Sequence, residues 1–282
     1  MSYATNLERP RRRALLIASV VALVMVLLLT TVGPSGGVAQ AQGEKPTIVL
    51  VHGDWADASG WNKVIERLQR RGFTVVAPPN LLRGPSVDAP YVASYLESIS
   101  GPIVLVAHSY GGFIITMAAK DNPNVEALVY IDAFIPDEGE SGLDLLADFG
   151  TCVNDDGLIP VPVPNDVDLY LRWEPNLTYT GFRECFANGV NQRDAAVLHA
   201  TQRPASFHQF DPNETSGPPA WADIPSWSLI GTRDNVIPLA AQEFMSERAG
   251  AEITRVRAGH LTPITRPGDV VKLIMSAADA TS

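Results

Sequence analysis

The chain has 282 residues, 46% of them hydrophobic, and a formal net charge of −10. That length and apolar fraction suit one α/β domain of ordinary size with a real buried core. The acidity argues against a nucleic-acid partner, which needs basic stripes, and identifies no other partner.

The first 41 residues do not read as part of the fold. Arg9, Arg11, Arg12 and Arg13 form a basic region, an apolar run extends from Ala14 to about Val32, and Ala39-Gln40-Ala41 is a small-residue cleavage site. This is the layout of a secretory signal, with cleavage expected after Ala41. The apolar run approaches bilayer-spanning length, so an uncleaved membrane anchor is the alternative. Arg12 and Arg13 also resemble a twin-arginine export signal, although the run behind them is more hydrophobic than such signals need. In an exported chain the two cysteines, Cys152 and Cys185, read as a disulfide rather than a metal site. The five histidines are scattered and form no metal motif.

From residue 46 onward short apolar runs alternate with amphipathic segments. Residues 47–51 form a β-branched run expected to be a buried strand. Trp61, Val64, Ile65 and Leu68 have helical spacing within 59–71, and Gly72 stops that helix. Residues 74–77 read as a strand, 87–99 as a helix, 103–107 as a strand, 111–120 as a helix and 125–131 as a strand. The rhythm resumes with a strand at 226–230, a helix at 239–248, a strand at 253–256 and a helix at 267–278. Such alternation implies a mostly parallel twisted sheet with helices on both faces. Residues 135–222 break it: they are rich in Pro, Asp and Asn, show weak helical pieces at 143–149 and 167–171, and reveal no second sheet. They are expected to form a helical cap inserted between two strands, dividing the core into 46–134 and 223–282.

Strand 103–107 runs into His108-Ser109-Tyr110-Gly111-Gly112 and then a helix. Strand, tight turn and helix are the context of a nucleophile elbow. The turn strains the serine backbone and other chain passes close by, which is why small residues surround it; Ala107 stands where glycine is usual. A surface serine in an ordinary turn is the bland alternative, and the double glycine weighs against it. The helix start adds positive character where an oxyanion would form.

A serine hydroxyl needs a base. His260 follows the last expected strand, a position that outweighs the usual structural role of a lone histidine. The acid belongs between serine and histidine in chain order. Asp234, in the loop after strand 226–230, fits best, and Asp132, after strand 125–131, is the reserve. Asp223 and Asp269 read as helix caps or surface residues, and Trp55 and Trp61 as wall and core. The oxyanion needs two donors. The backbone N–H groups of Tyr110 and Asp54 are expected to supply them, Gly53 allowing the loop to turn. The Asp54 carboxylate either turns back onto the N–H groups of Ala56 or Asp57, or faces the pocket to select a cationic or donor substrate or to stay protonated.

His52-Gly53-Asp54 with Trp61, Ala107 to Gly112, Gly231-Thr-Arg-Asp-Asn-Val-Ile-Pro238 and Gly259-His260 resemble the α/β-hydrolase superfamily. More narrowly, the chain is similar to plant methylesterases, hydroxynitrile lyases and exported actinobacterial esterase-like relatives, over roughly residues 46–278. The resemblance implies an α/β-hydrolase fold whose sheet begins at residues 47–51, a helical cap, a Ser109–His260–Asp234 triad and no cofactor. The activity it implies is hydrolysis of a small-molecule ester through an acyl-enzyme. Lyases of the group carry lysine directly after the histidine, whereas this chain has Leu261. A non-catalytic binding protein on the same fold is the remaining alternative.

Overall fold

The computed structural model describes residues 44–162, 173–206, 208, 211 and 213–281. The expected leader at 1–41 and the helical piece at 167–171 lie outside them. Six strands form one sheet: β1 (Thr47–Val51), β2 (Val75–Val76), β3 (Ile103–His108), β4 (Val125–Ile131), β7 (Ser226–Gly231) and β8 (Glu252–Val256), in the order β2-β1-β3-β4-β7-β8. Every pairing in it is parallel.

A parallel sheet must be covered on both faces, and alternation along the strands supplies two apolar surfaces. Val49, Val51, Leu105, Leu128 and Tyr130 face one cluster, completed by α2 (Pro85–Glu97), α3 (Tyr110–Ala118) and α6 (Leu239–Arg248). Ile48, Leu50, Val104, Val106 and Val129 face the other, covered by α1 (Asn62–Gln69) and α7 (Pro267–Ala280). Trp61 is buried in this second cluster. Helix α2 starts at Pro85, two residues before the expected start, because proline is suited to a first helical turn. The expected helix at 59–71 is split into a 3-10 turn, Ala58–Trp61, and α1.

Among the described residues between β4 and β7 are α4 (Gly142–Ala147), α5 (Gln192–Ala200) and a helical turn at Tyr179–Gly181 that runs into a π-turn, Phe182–Phe186. These residues also hold a second sheet, which corrects the sequence expectation. Strands β5 (Leu158–Pro162) and β6 (Trp173–Leu177) pair antiparallel, with Pro160 opposite Pro175. Prolines in both segments argue against strands; a two-stranded ribbon tolerates them because each strand has a free edge. Cys152 and Cys185 form a disulfide across this region. Among the described residues no helix is long and apolar enough to cross a membrane.

Candidate active site

The loops at the C-terminal ends of β1, β3, β4, β7 and β8 carry the polar residues singled out in the sequence. Strand β3 ends at His108 and α3 begins at Tyr110, so Ser109 makes the whole turn with φ 56° and ψ −128°. Four non-glycine residues among those described have positive φ: Trp55, Leu82, Ser109 and Asp132. Each such conformation costs about 1–3 kcal/mol and persists only where surrounding contacts over-determine it. Around Ser109 those contacts are its N–H to the Ile131 carbonyl (3.3 Å) and the Phe134 N–H to its own carbonyl (3.2 Å). The glycines permit close packing. A Cβ on Gly53 would lie 2.6 Å from Ser109 Cβ, and one on Gly111 would lie 2.7 Å from the Val51 carbonyl oxygen.

Ser109 Oγ lies 2.9 Å from His260 Nε2, and His260 Nδ1 lies 2.7 Å from Asp234 Oδ2. A carboxylate beside Nδ1 fixes the proton there, which leaves Nε2 as a lone pair facing the hydroxyl. Burial pushes the imidazole down to about 3, so it is neutral at ordinary pH. The Asp234 carboxyl is pushed up by burial and pulled down by the N–H groups of Ile237 and Val236 and the Gln242 amide. Its Oδ1 accepts from Val236 (2.8 Å) and Ile237 (3.1 Å), and its Oδ2 from Gln242 Nε2 (2.9 Å). The result is an unbroken hydroxyl–imidazole–carboxylate chain, capable of withdrawing a proton from Ser109 as its oxygen attacks an electrophile.

Asp132, the reserve acid, has a different set of partners. Its Oδ1 accepts the Gly231 N–H (2.7 Å) and its Oδ2 the Thr262 N–H (3.2 Å). It thus ties the end of β4 to the end of β7 and to the loop carrying His260. Burial, and then the charge of Asp234, pushes its carboxyl well up.

Four positioning groups were not identified from sequence. Gln242, on the inner face of α6 beside Ala241 and Met245, holds Asp234. Asn188 accepts the His260 N–H (3.2 Å) and donates to the Arg233 carbonyl (2.7 Å), joining the histidine and acid loops. His108 donates through Nε2 to the His260 carbonyl (2.8 Å), and burial keeps it neutral. Asp88 accepts the Tyr110 hydroxyl (2.8 Å). A buried polar residue on an apolar helix face is a usable signal for Gln242; the others depend on contacts between distant segments.

Gly53 lets the loop after β1 pass directly beside Ser109. His52 anchors that loop, donating from Nδ1 to the Gly53 carbonyl (2.9 Å) and accepting the Asn80 N–H at Nε2 (3.1 Å). Asp54 is buried, and its charge is one of the causes pushing the Tyr110 hydroxyl up, after burial and Asp88. Asp57 makes a local turn, accepting the Ser59 N–H at 2.8 Å. Asp223 and Asp269 lie at the surface, paired with Lys120 and Arg266. A small cavity of about 30 Å³ beside the loops that carry these residues is lined by His52, His108, Trp55, Phe182, Phe186 and Leu261, with Asp57, Ser59 and Thr201 among its polar neighbours. The Phe186 ring sits 5.2 Å from the His260 ring.

Residues 48–273 match the model of the alpha/beta hydrolase family. A carbendazim-hydrolyzing esterase of Nocardioides is 33% identical over 114 residues, covering 35% of this chain and 46% of that protein. Methylesterase 10 of Arabidopsis thaliana is 23% identical over 82% of this chain and 90% of its own length. The fold is also that of a pyrethroid hydrolase from Sphingobium faniae, with a TM-score of 0.66 and 22% identity over 83% of this chain and 98% of that one. The chain belongs to the alpha/beta hydrolase family.

Proposed function

We propose that this chain is an exported serine esterase acting on a small, uncharged ester. The observation that carries the reading is the buried Ser109–His260–Asp234 chain of hydrogen bonds at 2.9 and 2.7 Å. His260 Nε2 takes the hydroxyl proton while Ser109 Oγ attacks the ester carbonyl. The developing oxyanion is held by the N–H groups of Tyr110 and Asp54. His260 then returns the proton to the departing alcohol, and water, activated by the same imidazole, releases the acid from the acyl-enzyme.

The aromatic and aliphatic cavity wall supports a substrate with an uncharged apolar group. Phe182, Phe186 and Leu198, from the segment between β4 and β7, act as the cap that limits water there. The esterase and methylesterase names of the relatives support the same class of reaction. A hydroxynitrile lyase of this fold would use a lysine after the histidine; Leu261 supplies only an apolar contact there. The leader and the disulfide support export, with a mature N-terminus at Gln42. The test is a panel of nitrophenyl esters of increasing acyl length. Wild type should release nitrophenol, and Ser109→Ala should lose several orders of magnitude in rate. A panel with no turnover by wild type would refute the proposal.

A further inference from the structure

Two adjacent residues of β6 reach toward the two expected donors of the oxyanion hole by separate routes. The first route starts at Glu174, which is buried and ion-paired with the half-exposed Arg83 side chain. The Arg83 N–H donates to both oxygens of Asp88 (3.1 and 3.0 Å), and the Gly84 N–H adds a third bond (3.2 Å). Asp88 in turn accepts the Tyr110 hydroxyl at 2.8 Å. Tyr110 is the residue whose N–H faces the oxyanion in the proposed mechanism. The second route starts at Pro175. Its carbonyl accepts Trp55 Nε1–H at 2.9 Å, and Trp55 directly follows Asp54, whose N–H is the other donor.

Backbone strain marks both routes. Leu82, just before Arg83, has φ 59°, and Trp55 has φ 51°. Neither conformation suits a bulky side chain, so each needs outside contacts to hold it. The Asp88 carboxylate and the Pro175 carbonyl supply such contacts at the two places.

We infer that β6 is a clamp that sets both oxyanion donors at once: Glu174 fixes Tyr110 through Arg83 and Asp88, and Pro175 fixes the Asp54 loop through Trp55. The inference rests on the esterase reading and extends it. β6 acts on the donors: when it is seated, they are in register, and when it lifts, both are released. Donors stabilise a tetrahedral oxyanion more than the ground-state carbonyl, so loosening them lowers kcat and leaves KM nearly unchanged. A roof that only bound substrate would raise KM instead.

The experiment measures kcat and KM on the best nitrophenyl ester, and the affinity of a trifluoromethyl ketone that forms a tetrahedral adduct on serine. Arg83→Ala, Glu174→Gln, Tyr110→Phe and Trp55→Phe are compared with wild type. Removing a whole oxyanion donor costs about 10²–10³ in rate, so displacing one should cost about tenfold in kcat. For the Arg83, Glu174 and Tyr110 variants KM should stay within about twofold, and ketone affinity should fall in step with kcat; Trp55 also lines the cavity, so Trp55→Phe is read through kcat and ketone affinity alone. Arg83→Lys should recover most of the loss, and Arg83→Ala with Glu174→Gln should cost no more than either alone. Arg83 is half exposed, so its variants test the clamp even if Glu174→Gln fails to fold. Unchanged kcat in the folded variants, or a loss confined to KM, would overturn the clamp while leaving the esterase reading intact. Absence of turnover by wild type would overturn both.

Discussion

Asp234 and His260 share a 2.7 Å hydrogen bond with both side chains withdrawn from solvent. Three further donors hold the carboxylate, two on Oδ1 and Gln242 on the Oδ2 that faces the imidazole, so it is aimed as well as close. Asp132 lies nearby but bonds to backbone N–H groups of Gly231 and Thr262. We therefore expect Asp234→Asn to lower kcat by about four orders of magnitude, as loss of the orienting acid of a triad does. Asp132→Asn, which disturbs backbone contacts alone, should cost about tenfold or less. Steady-state kinetics on both variants separates the two acids; a larger loss at Asp132 would reassign the third member.

The acid limb of kcat/KM should lie well below the free imidazole value of about 6.5. Burial depresses His260 to about 3, so Nε2 stays unprotonated as pH falls through 6.5. Base function is lost only when the pH approaches the depressed value. A pH–rate profile on a non-ionising ester, with circular dichroism recorded at each pH, measures this. A limb at or above 6.5 in folded enzyme would contradict it.

Gln242→Ala should reduce kcat by about tenfold, since it removes one bond to the Asp234 carboxylate. Gln242→Glu should be worse, because it sets a second buried acid against Asp234. Kinetics beside a melting curve distinguishes lost positioning from lost stability.

The disulfide joins two segments that flank the dyad. The Cys152 N–H donates to the carbonyl of Asn235, next to the acid, and Cys185 lies in the π-turn that carries Phe186 onto His260. The bridged residues are 33 apart, which in the chain-entropy model corresponds to about 4 kcal/mol of stabilisation. Replacing both cysteines by serine should lower the denaturant midpoint accordingly and also lower kcat. A variant of unchanged kcat would confine the bridge to stability.

The sheet was legible because strands such as Thr47–Val51, Ile103–His108 and Val125–Ile131 are β-branched or aliphatic runs, and because α1 has apolar residues at helical spacing. The meeting of Ser109, His260 and Asp234 was legible because elbow, last loop and acid loop have local signatures. What the sequence hid is of two kinds. Strands β5 and β6 carry prolines that mask their pairing. Asn188, Asp88, Glu174 and Asp132 act across 22 to 130 residues of chain, through contacts that no local pattern encodes.

Activation of Ser109 by His260 is read out by intact-mass and peptide mass spectrometry after treatment with a fluorophosphonate. One phosphonyl adduct per chain is expected, on Ser109, forming quickly in wild type, at least 10²-fold more slowly in His260→Ala, and not at all in Ser109→Ala. An unlabelled wild-type chain, or an adduct on another residue that persists in Ser109→Ala, would contradict it.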